Sequence, residues 1–262
     1  TTADANTAVG YYALEVNTTG HENTANGYNT LTDNTTGNNN TAIGYNALWK
    51  NTTGSTNTAV GTGSLTACTT GFDNTTMGAG SGISLTTASN CLLLGHDAGR
   101  TGSPGGIITS QASRLGLGDE NISQAHIQVD WTVASDARDK TDFTALDLGL
   151  DFVNALAPVT YKWDKRSKYG DKTAEGYDLN AQTPDGTHKE DWLDIGFKAQ
   201  EVEALEIAAG YNKSNSTNLI SSHTSDGKQM GLQYSKFVPI LVKALQELST
   251  QNAALAARLT TL

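Results

Sequence analysis

The chain has 262 residues and is acidic, with a formal net charge of −10 and a sequence pI of about 4.8. Phosphate binding depends on clustered Lys and Arg, so this charge balance argues against a nucleic-acid partner. No apolar run approaches the roughly 18 residues of a membrane-spanning helix, and we expect no membrane insertion.

Charge is distributed unevenly along the chain. Residues 1–134 contain nine acidic and three basic side chains, whereas residues 135–262 contain 18 and 14. The first region is rich in Thr, Asn and Gly, and the second has the composition of an ordinary globular domain. We therefore predict two regions of different physical type that meet near residue 134.

Glycines in the first region recur every 17 residues. One series is Gly10, Gly27, Gly44, Gly61, Gly78 and Gly95, and a second is Gly20, Gly37, Gly54 and Gly71. Each unit has a short apolar element, such as Ala42-Ile43, and most units then have an Asn-Thr-Thr-Gly or related turn. Asn and Gly suit turns because both tolerate positive φ. A repeat of fixed step indicates stacked, identical backbone units.

A 17-residue unit suits one coil of a β-solenoid. Such a unit holds about two strands of about 5 residues with two turns, whereas a helical repeat needs about 30 residues or more. Each unit offers only three or four apolar side chains, so a solenoid made by one chain would be marginal. We predict a β-solenoid over residues 1–100 whose core several chains share, with a trimer as the simplest arrangement.

Two details of the repeat have simple explanations. Asn-X-Thr matches the N-glycosylation pattern many times, but these matches follow from the repeat itself. Cys68 occupies a slot that holds a turn Asn in other units, and Cys91 occupies the slot of a strand Asn. Because the two slots differ, we predict free, partly buried thiols rather than a disulfide.

Residues 101–134 are predicted to be a transition and a β-strand stalk. The segment begins with the breaker cluster 101–106, which we expect to end the solenoid. Apolar and polar residues then alternate strictly from His126 to Val133, the pattern of a strand with one buried face. His126 lies on the polar face, so we assign it no catalytic or metal-binding role.

A candidate nucleophile and a candidate base follow directly. To act as a nucleophile, Ser135 needs a base. No histidine is near it in sequence, but Lys140 is, and Ser–Lys pairs are an established alternative to Ser-His-Asp. On an α-helix this five-residue spacing would separate the two side chains by about 140°. We therefore predict a non-helical segment, with Ser135 at a strand end and Lys140 across a turn.

Lysine acts as a base only when it is neutral. Its reference pKa is near 10.4, and burial lowers such values by up to roughly 3 to 5 units. We expect Lys140 to be solvent-exposed and protonated in the isolated chain. Assembly of a trimer would then bury it and switch the reaction on.

The string Ser135-Asp136-X-Arg138-X-Lys140 resembles the start of the self-cleaving intramolecular chaperone domain at the C-terminal ends of phage tail spikes and tail fibres, the endosialidase type. Three later blocks are similar to blocks of that family and occur in the family's order: residues 150–163, 196–202 and 234–241. The resemblance covers residues 135–262, nearly half the chain.

The resemblance implies a single-turnover serine endopeptidase that acts in cis. It implies scission of the Ala134–Ser135 bond with Ser135 as nucleophile, and we assign Lys140 as its base. Four further residues that match the family's motifs receive supporting roles: Asp136, Arg138, Gln200 and Glu201. We predict neither a metal nor a cofactor.

The family also uses a histidine shortly before the Gly-Phe-X-Ala-Gln-Glu block. His188 lies eight residues ahead of Gly196, and its alignment with that histidine stays open. Neither His188 nor His223 is assigned a role.

The last residues carry a heptad pattern. Position a holds Val238, Leu245, Asn252 and Leu259, and position d holds Leu241, Leu248, Leu255 and Leu262. An Asn at a core position fixes register at some cost in stability. An amphipathic helix packed on its own domain is the alternative, but unbroken leucine at d favours a parallel trimeric coiled coil from about residue 236 to 262.

These patterns together predict a mainly β repeat followed by an α+β chaperone domain with a C-terminal coiled-coil helix. The predicted protein is the C-terminal part of a homotrimeric phage tail fibre or tail spike, assembled in the host cytoplasm and located in the virion. Its chaperone domain would bring the slowly pairing β-chains into register and then release itself. A host cell-surface receptor or glycan is the expected external partner.

Two alternatives stay open. The Asn-Thr-Ala-Ile-Gly units also resemble the head repeats of trimeric bacterial adhesins, which would act without proteolysis; the leucine heptad favours the fibre. The second alternative is a tail spike that binds or degrades glycans. Acidic residues in 1–100 are scattered over different repeat slots, which argues against a catalytic carboxylate pair within one chain and leaves open a site between chains.

Overall fold

A computed structural model describes residues 3–260 except 173, 216 and 218. The chain divides into two compact units. The first contains Thr1–Gln124, Asp164–Lys189 and Thr224–Gln229, and the second contains Ala125–Trp163, Glu190–His223 and Met230–Leu262. The chain therefore leaves the first unit after Gln124 and contributes to it twice more.

Seven short parallel strands form a sheet in the first unit. They are β1 (Thr7–Val9), β2 (Thr24–Asn26), β3 (Thr41–Ile43), β4 (Thr58–Val60), β5 (Thr75–Met77), β6 (Leu92–Leu94) and β7 (Leu115–Leu117). Their order in the sheet is their order in the chain. Equivalent residues pair, as Thr41 does with Thr24 and Thr58. This confirms the predicted parallel β-solenoid, in which each coil adds a strand to the stack.

The coils are simpler than predicted. Each contains one strand of three residues instead of two strands of about five, and turns and bends form the remainder. Backbone bonds from one coil to the next continue through the turns; Thr35 N, for example, donates to Thr52 O at 2.9 Å. The stack is therefore bonded along turns as well as along the sheet.

The solenoid continues past residue 100. β7 pairs with β6 through Leu92–Leu115 and Leu94–Leu117, a step of 23 residues instead of 17. The prediction that the cluster 101–106 ends the solenoid is therefore wrong. The cluster lies in an insertion that lengthens one coil. Gly102, Gly105 and Gly106 adopt positive φ, which allows the chain to form this loop and return to the stack.

Buried asparagines share the solenoid core with apolar side chains. The second residue of strands β2–β7 is buried, as at Ala42, and so is the leucine that follows several of them, as at Leu48. Asn40 Nδ2 donates to Asn23 Oδ1 at 3.1 Å and to Gly54 O at 2.9 Å, and the pattern repeats along the stack. Because the buried polar groups bond one another, each coil needs few apolar residues.

Cys68 and Cys91 are buried free thiols, as predicted. Each interrupts a different asparagine ladder. Cys68 Sγ lies 3.8 Å from Gly71 O, where Asn51 in the preceding coil donates to Gly54 O. Burial raises the pKa of Cys68 to about 11, so this thiol stays protonated at neutral pH.

The outward positions of the strands carry exposed apolar side chains. Val9, Met77 and Leu115 are each more than half exposed. Nearby, the rings of Tyr11, Tyr28 and Tyr45 stack from coil to coil with centroids 5.4 Å apart. Exposed apolar side chains repeated along one surface are typical of a face that associates with another protein.

The second unit is a small α+β region that ends in a long helix. Its elements are α1 (Leu150–Ala155), β8 (Val159–Tyr161), β9 (Asp194–Gly196), α2 (Ala199–Ala208), β10 (Ser221–His223), β11 (Met230–Leu232) and α3 (Phe237–Thr260). β8 pairs with β9 and β10 with β11, both antiparallel. The core combines helix and loop residues: Leu148, Phe152, Val202, Ile220, Phe237 and Ile240. The predicted fold class is confirmed.

α3 has 24 residues and two different faces. Phe237, Ile240 and Ala244 are buried against the second unit. The described heptad residues point away and are exposed: Val238, Leu241, Leu245, Leu248, Asn252, Leu255 and Leu259. Leu262 lies outside the described residues. The open face is available for association, and the trimeric coiled coil stays a prediction.

No helix among the described residues is long and apolar enough to cross a membrane. Residues 126–133, all of which the structure describes, form no strand. Their apolar side chains are exposed, from 52% at Ile127 to 79% at Val133. A half-buried strand needs a neighbouring strand to bond its backbone, and no strand of the described residues pairs with this segment. The stalk strand therefore stays a prediction that depends on other chains.

Candidate functional site

A hydrogen bond joins the two predicted catalytic side chains. Lys140 Nζ lies 2.6 Å from Ser135 Oγ. Between them, one turn of 3-10 helix spans Ala137–Asp139, and the backbone is extended at Asp136 and Lys140. The predicted turn between the two residues is present, but it is a 3-10 helical turn, and no strand ends at Ser135. This tight turn between two extended residues brings the side chains together.

Asp136 and Arg138 stabilise that turn. Asp136 Oδ1 accepts from Arg138 N at 2.9 Å, and Arg138 Nε and Nη2 donate to the same carboxylate at 3.1 and 2.6 Å. The side-chain bond from Arg138 lowers the pKa of Asp136, and the pKa of Arg138 rises in turn. Because a bidentate pair has a defined geometry, it fixes the turn on which Ser135 and Lys140 meet.

The site is exposed in the single chain. Every residue from 121 to 145 is exposed, including the six from Ser135 to Lys140. The chain alone therefore provides no enclosed environment around the lysine amine.

Gln200 and Glu201 lie on the first turn of α2. Glu201 Oε1 accepts from Lys198 Nζ at 2.8 Å, and Gln200 is exposed. Among the described residues, neither side chain is hydrogen-bonded to Ser135 or Lys140. The structure does not bring them into the pair, and their supporting role stays a prediction.

The two unassigned histidines have different surroundings. His223 Nε2 lies 2.6 Å from Glu203 Oε1, and both side chains are about four-fifths buried. His188 belongs to the first unit, where its ring packs edge-on against Tyr169 at 4.9 Å. Within the described part of the chain, no group of three or more His, Cys, Asp or Glu could hold a metal ion.

The sequence interpretation missed a buried carboxylate on α2. Glu206 is fully buried and accepts from the backbone N atoms of Leu219, Ile220 and Ser221 at 2.8, 2.6 and 2.9 Å. The Ser221 hydroxyl also donates to it. These donors satisfy the charge and connect α2 to β10. A signal was present, because Glu206 follows the core residue Val202 by four positions and so shares its helix face.

Comparison with known proteins agrees with the resemblance seen in the sequence. Residues 135–211 match the family model described as chaperone of endosialidase. No curated protein and no solved structure gives a match. The matched segment starts at Ser135 and includes the Ser135–Lys140 pair, α1 and α2, whereas α3 lies beyond it. Residues 135–211 are thus similar to the chaperone of endosialidase, and a parallel β-solenoid precedes them.

Proposed function

We propose that the chain is the C-terminal part of a phage tail fibre or tail spike. Residues 135–262 would assemble three copies of the solenoid and then cut the Ala134–Ser135 bond. The family match supports the chaperone role. The observation that carries the proteolytic step is the 2.6 Å contact between Lys140 Nζ and Ser135 Oγ.

The proposed reaction is an attack by Ser135 on its own preceding peptide bond. A neutral Lys140 takes the Oγ proton while Oγ bonds to the Ala134 carbonyl carbon. The bond from that carbon to the Ser135 nitrogen then breaks, and the lysine returns the proton to the leaving nitrogen. An ester now joins Ala134 to Ser135 Oγ. Water hydrolyses it to leave an Ala134 carboxylate and a free Ser135, so each chain reacts once.

Assembly controls this reaction in the proposal. A lysine in open water is charged and cannot take a proton, and residues 121–145 are exposed in the chain. The alternating segment 126–133 leads directly into Ser135. If three copies pair through this segment, they enclose the amine and favour its neutral form.

Two surfaces of the chain suit that assembly. One is the outward column formed by the third residue of each strand, which includes Val9, Ile43 and Met77. The other is the open leucine face of α3, on which Leu245 and Leu259 are about two-thirds exposed. Both are repetitive and nearly free of charge, so a second copy in register presents a matching surface.

A denaturing gel tests the proteolytic step. We expect the wild type to run as two fragments and Ser135→Ala and Lys140→Ala as one band of 27.5 kDa. Lys162→Ala, which removes an exposed lysine from the same matched segment, should cleave like the wild type. A wild type that forms trimers by sedimentation and still runs as one 27.5 kDa band would exclude autoproteolysis.

Attachment remains a further proposal. A fibre or spike of this type would bind a host cell-surface receptor or glycan. A trimeric adhesin would also bind a surface receptor or glycan, but it would not cleave itself. The denaturing gel described above therefore distinguishes the fibre from the adhesin.

A further inference from the structure

Residues on both sides of the Ala134–Ser135 bond build the end of the solenoid. The first unit joins Thr1–Gln124 with Asp164–Lys189 and Thr224–Gln229, and the last two stretches follow Ser135 in the chain. Cleavage would therefore cut the covalent connection within this unit without touching its packing.

Charged residues are concentrated in the last coil of the solenoid, which also contains Arg100 and Arg114, and Arg100 pairs with Asp97 at 3.0 Å. Three of the nine acidic residues before Ser135 lie there: Asp97, Asp119 and Glu120. Asp119 accepts from Asn121 N and Nδ2 at 2.9 and 2.8 Å and lies 3.0 Å from His96 Nδ1. The Glu120 side chain is only 6% exposed, which makes it the acid that most needs a cation.

A basic stretch from the later part of the chain supplies that cation. Residues 165–172 contain four bases: Lys165, Arg166, Lys168 and Lys172. Lys172 Nζ pairs with Glu120 and is itself largely buried, and Lys165 Nζ donates to Glu120 O at 3.1 Å. Desolvation lowers the pKa of Lys172, and the nearby Asp119 and Asp97 oppose that shift. The ion pair of Lys172 and Glu120 is therefore partly shielded from solvent.

The stretch Thr224–Gln229 forms a hydrogen bond and an ion pair with the stretch Asp164–Lys189. Arg166 Nη2 donates to Lys228 O at 2.6 Å, and Lys228 Nζ pairs with Asp178 at 2.8 Å. Ser225 Oγ donates to Ile107 O at 3.0 Å, which connects this stretch to the insertion in the last coils. The fit is also close in shape, since a Cβ added at Gly102 would lie 2.7 Å from Ser167 Cβ.

We propose that residues 135–262 stay bound to the solenoid after cleavage, through the contact of Glu120 with Lys165 and Lys172, the solenoid-end contact. Release of the chaperone then requires this contact to open as a separate step. The proposal rests on the proposed function, because it concerns the cleaved chain. The scissile bond lies in an exposed segment, and none of the contacts described above depends on it. Removing one member of a buried ion pair leaves the other charge unpaired, so the pair should govern dissociation.

The experiment separates retention from autoproteolysis. A recognition sequence for a site-specific endoprotease is inserted between Gln124 and Ala125 of the Ser135→Ala chain, which is then cut, applied to a size-exclusion column at low salt and compared with the wild type. We expect the two fragments to co-elute without denaturant. Lys172→Ala should raise the dissociation rate about tenfold or more. Lys172→Arg keeps the charge and should retain most of the binding, and exposed Lys213→Ala should match the parent.

Each outcome bears on one proposal. Protease-cut fragments that separate at once overturn the solenoid-end contact, whether or not the wild type cuts itself. Fragments held together while the wild type stays uncut support the contact and contradict the proposed function. A dissociation rate that is unchanged by Lys172→Ala assigns retention to other residues and overturns the role of the ion pair.

Discussion

The solenoid and the segment 135–211 stabilise their polar groups in opposite ways. In the solenoid, Asn40 and its equivalents repeat one set of hydrogen bonds from coil to coil. In the second unit, Glu206 and Asp136 accept hydrogen bonds from partners that belong to no repeating series. A repeat gains little from any one coil and most from stacking, so it depends on correct register. Under the proposed function, this difference is the reason for an assembly domain that folds separately from the solenoid.

The largest expected effect comes from adding one methyl group between coils. A Cβ at Gly37 would lie 2.3 Å from Gly54 O, a backbone atom that cannot move aside. We expect Gly37→Ala to lower the free energy of unfolding by about 4 kcal/mol or more. Gly210→Ala is the matched control in the second unit, where nothing lies within 4 Å and only the φ of 92° is strained, at a cost of about 1 kcal/mol. Equal losses in thermal or denaturant unfolding would contradict the distinction.

Alkaline pH should weaken the solenoid through Cys68. Its pKa is about 11 in the folded chain against an ordinary value of 9.0, so the folded state holds the proton more tightly. Stability is then fully present below pH 9 and is lost as the pH rises towards 11, by up to about 2.7 kcal/mol at 1.36 kcal/mol per unit. Denaturant midpoints of the wild type and Cys68→Ser across this range measure the effect. A similar alkaline loss in both would assign it to other groups.

The turn before Lys140 should control the rate of cleavage more than the stability of the chain. Asp136→Ala removes both the acceptor for Arg138 N and the bidentate pair, and we expect cleavage to slow by about tenfold to a hundredfold. Asp136→Asn keeps an acceptor for Arg138 N and should fall between. Quantified gels over time give the rates, and sedimentation checks assembly. If both variants cleave as fast as the wild type, the turn has no positioning role.

A small gain in stability should come from repairing the asparagine ladder at Cys68. Asn34 donates to Asn17 and Asn51 to Asn34, but Asn51 Oδ1 is buried without a partner because the next residue in the ladder is Cys68. Cys68→Asn restores the donor and should raise the free energy of unfolding by about 1 to 2 kcal/mol.

Cys91→Asn is the matched control for this repair. Asn74 Oδ1 already accepts from Cys91 N at 3.1 Å, so its gain should be smaller. A larger gain at Cys91 than at Cys68 would contradict the ladder explanation.

The repeat and the Ser–Lys segment could be predicted because their signals are local. A fixed glycine step indicates a stack, and a five-residue spacing excludes a shared α-helical face. The coil conformation could not be predicted in the same way. Leu31, Leu48 and Leu65 adopt φ near 50°, a conformation rare for a bulky residue, and only the surrounding stack can impose it.

Contacts between residues that are distant in sequence could not be predicted from the sequence pattern either. Lys172 pairs with Glu120 across 52 residues, and Ser225 bonds Ile107 across 118. Neither pair belongs to a periodic series, so no spacing in the sequence indicates it. The same holds for Glu247, which accepts from Leu150 N at 2.7 Å and caps α1 from 97 residues away. The charged half is thus specified by single contacts that only the folded chain reveals.

The central claim is that assembly switches on cleavage before Ser135. Wild-type protein refolded over a series of concentrations should be followed by sedimentation and by intact mass with N-terminal sequencing. We expect fragments to appear only with trimers, and the new N-terminus to begin at Ser135. Trimers that keep the full mass of 27.5 kDa, or monomers cleaved equally fast, would contradict the account.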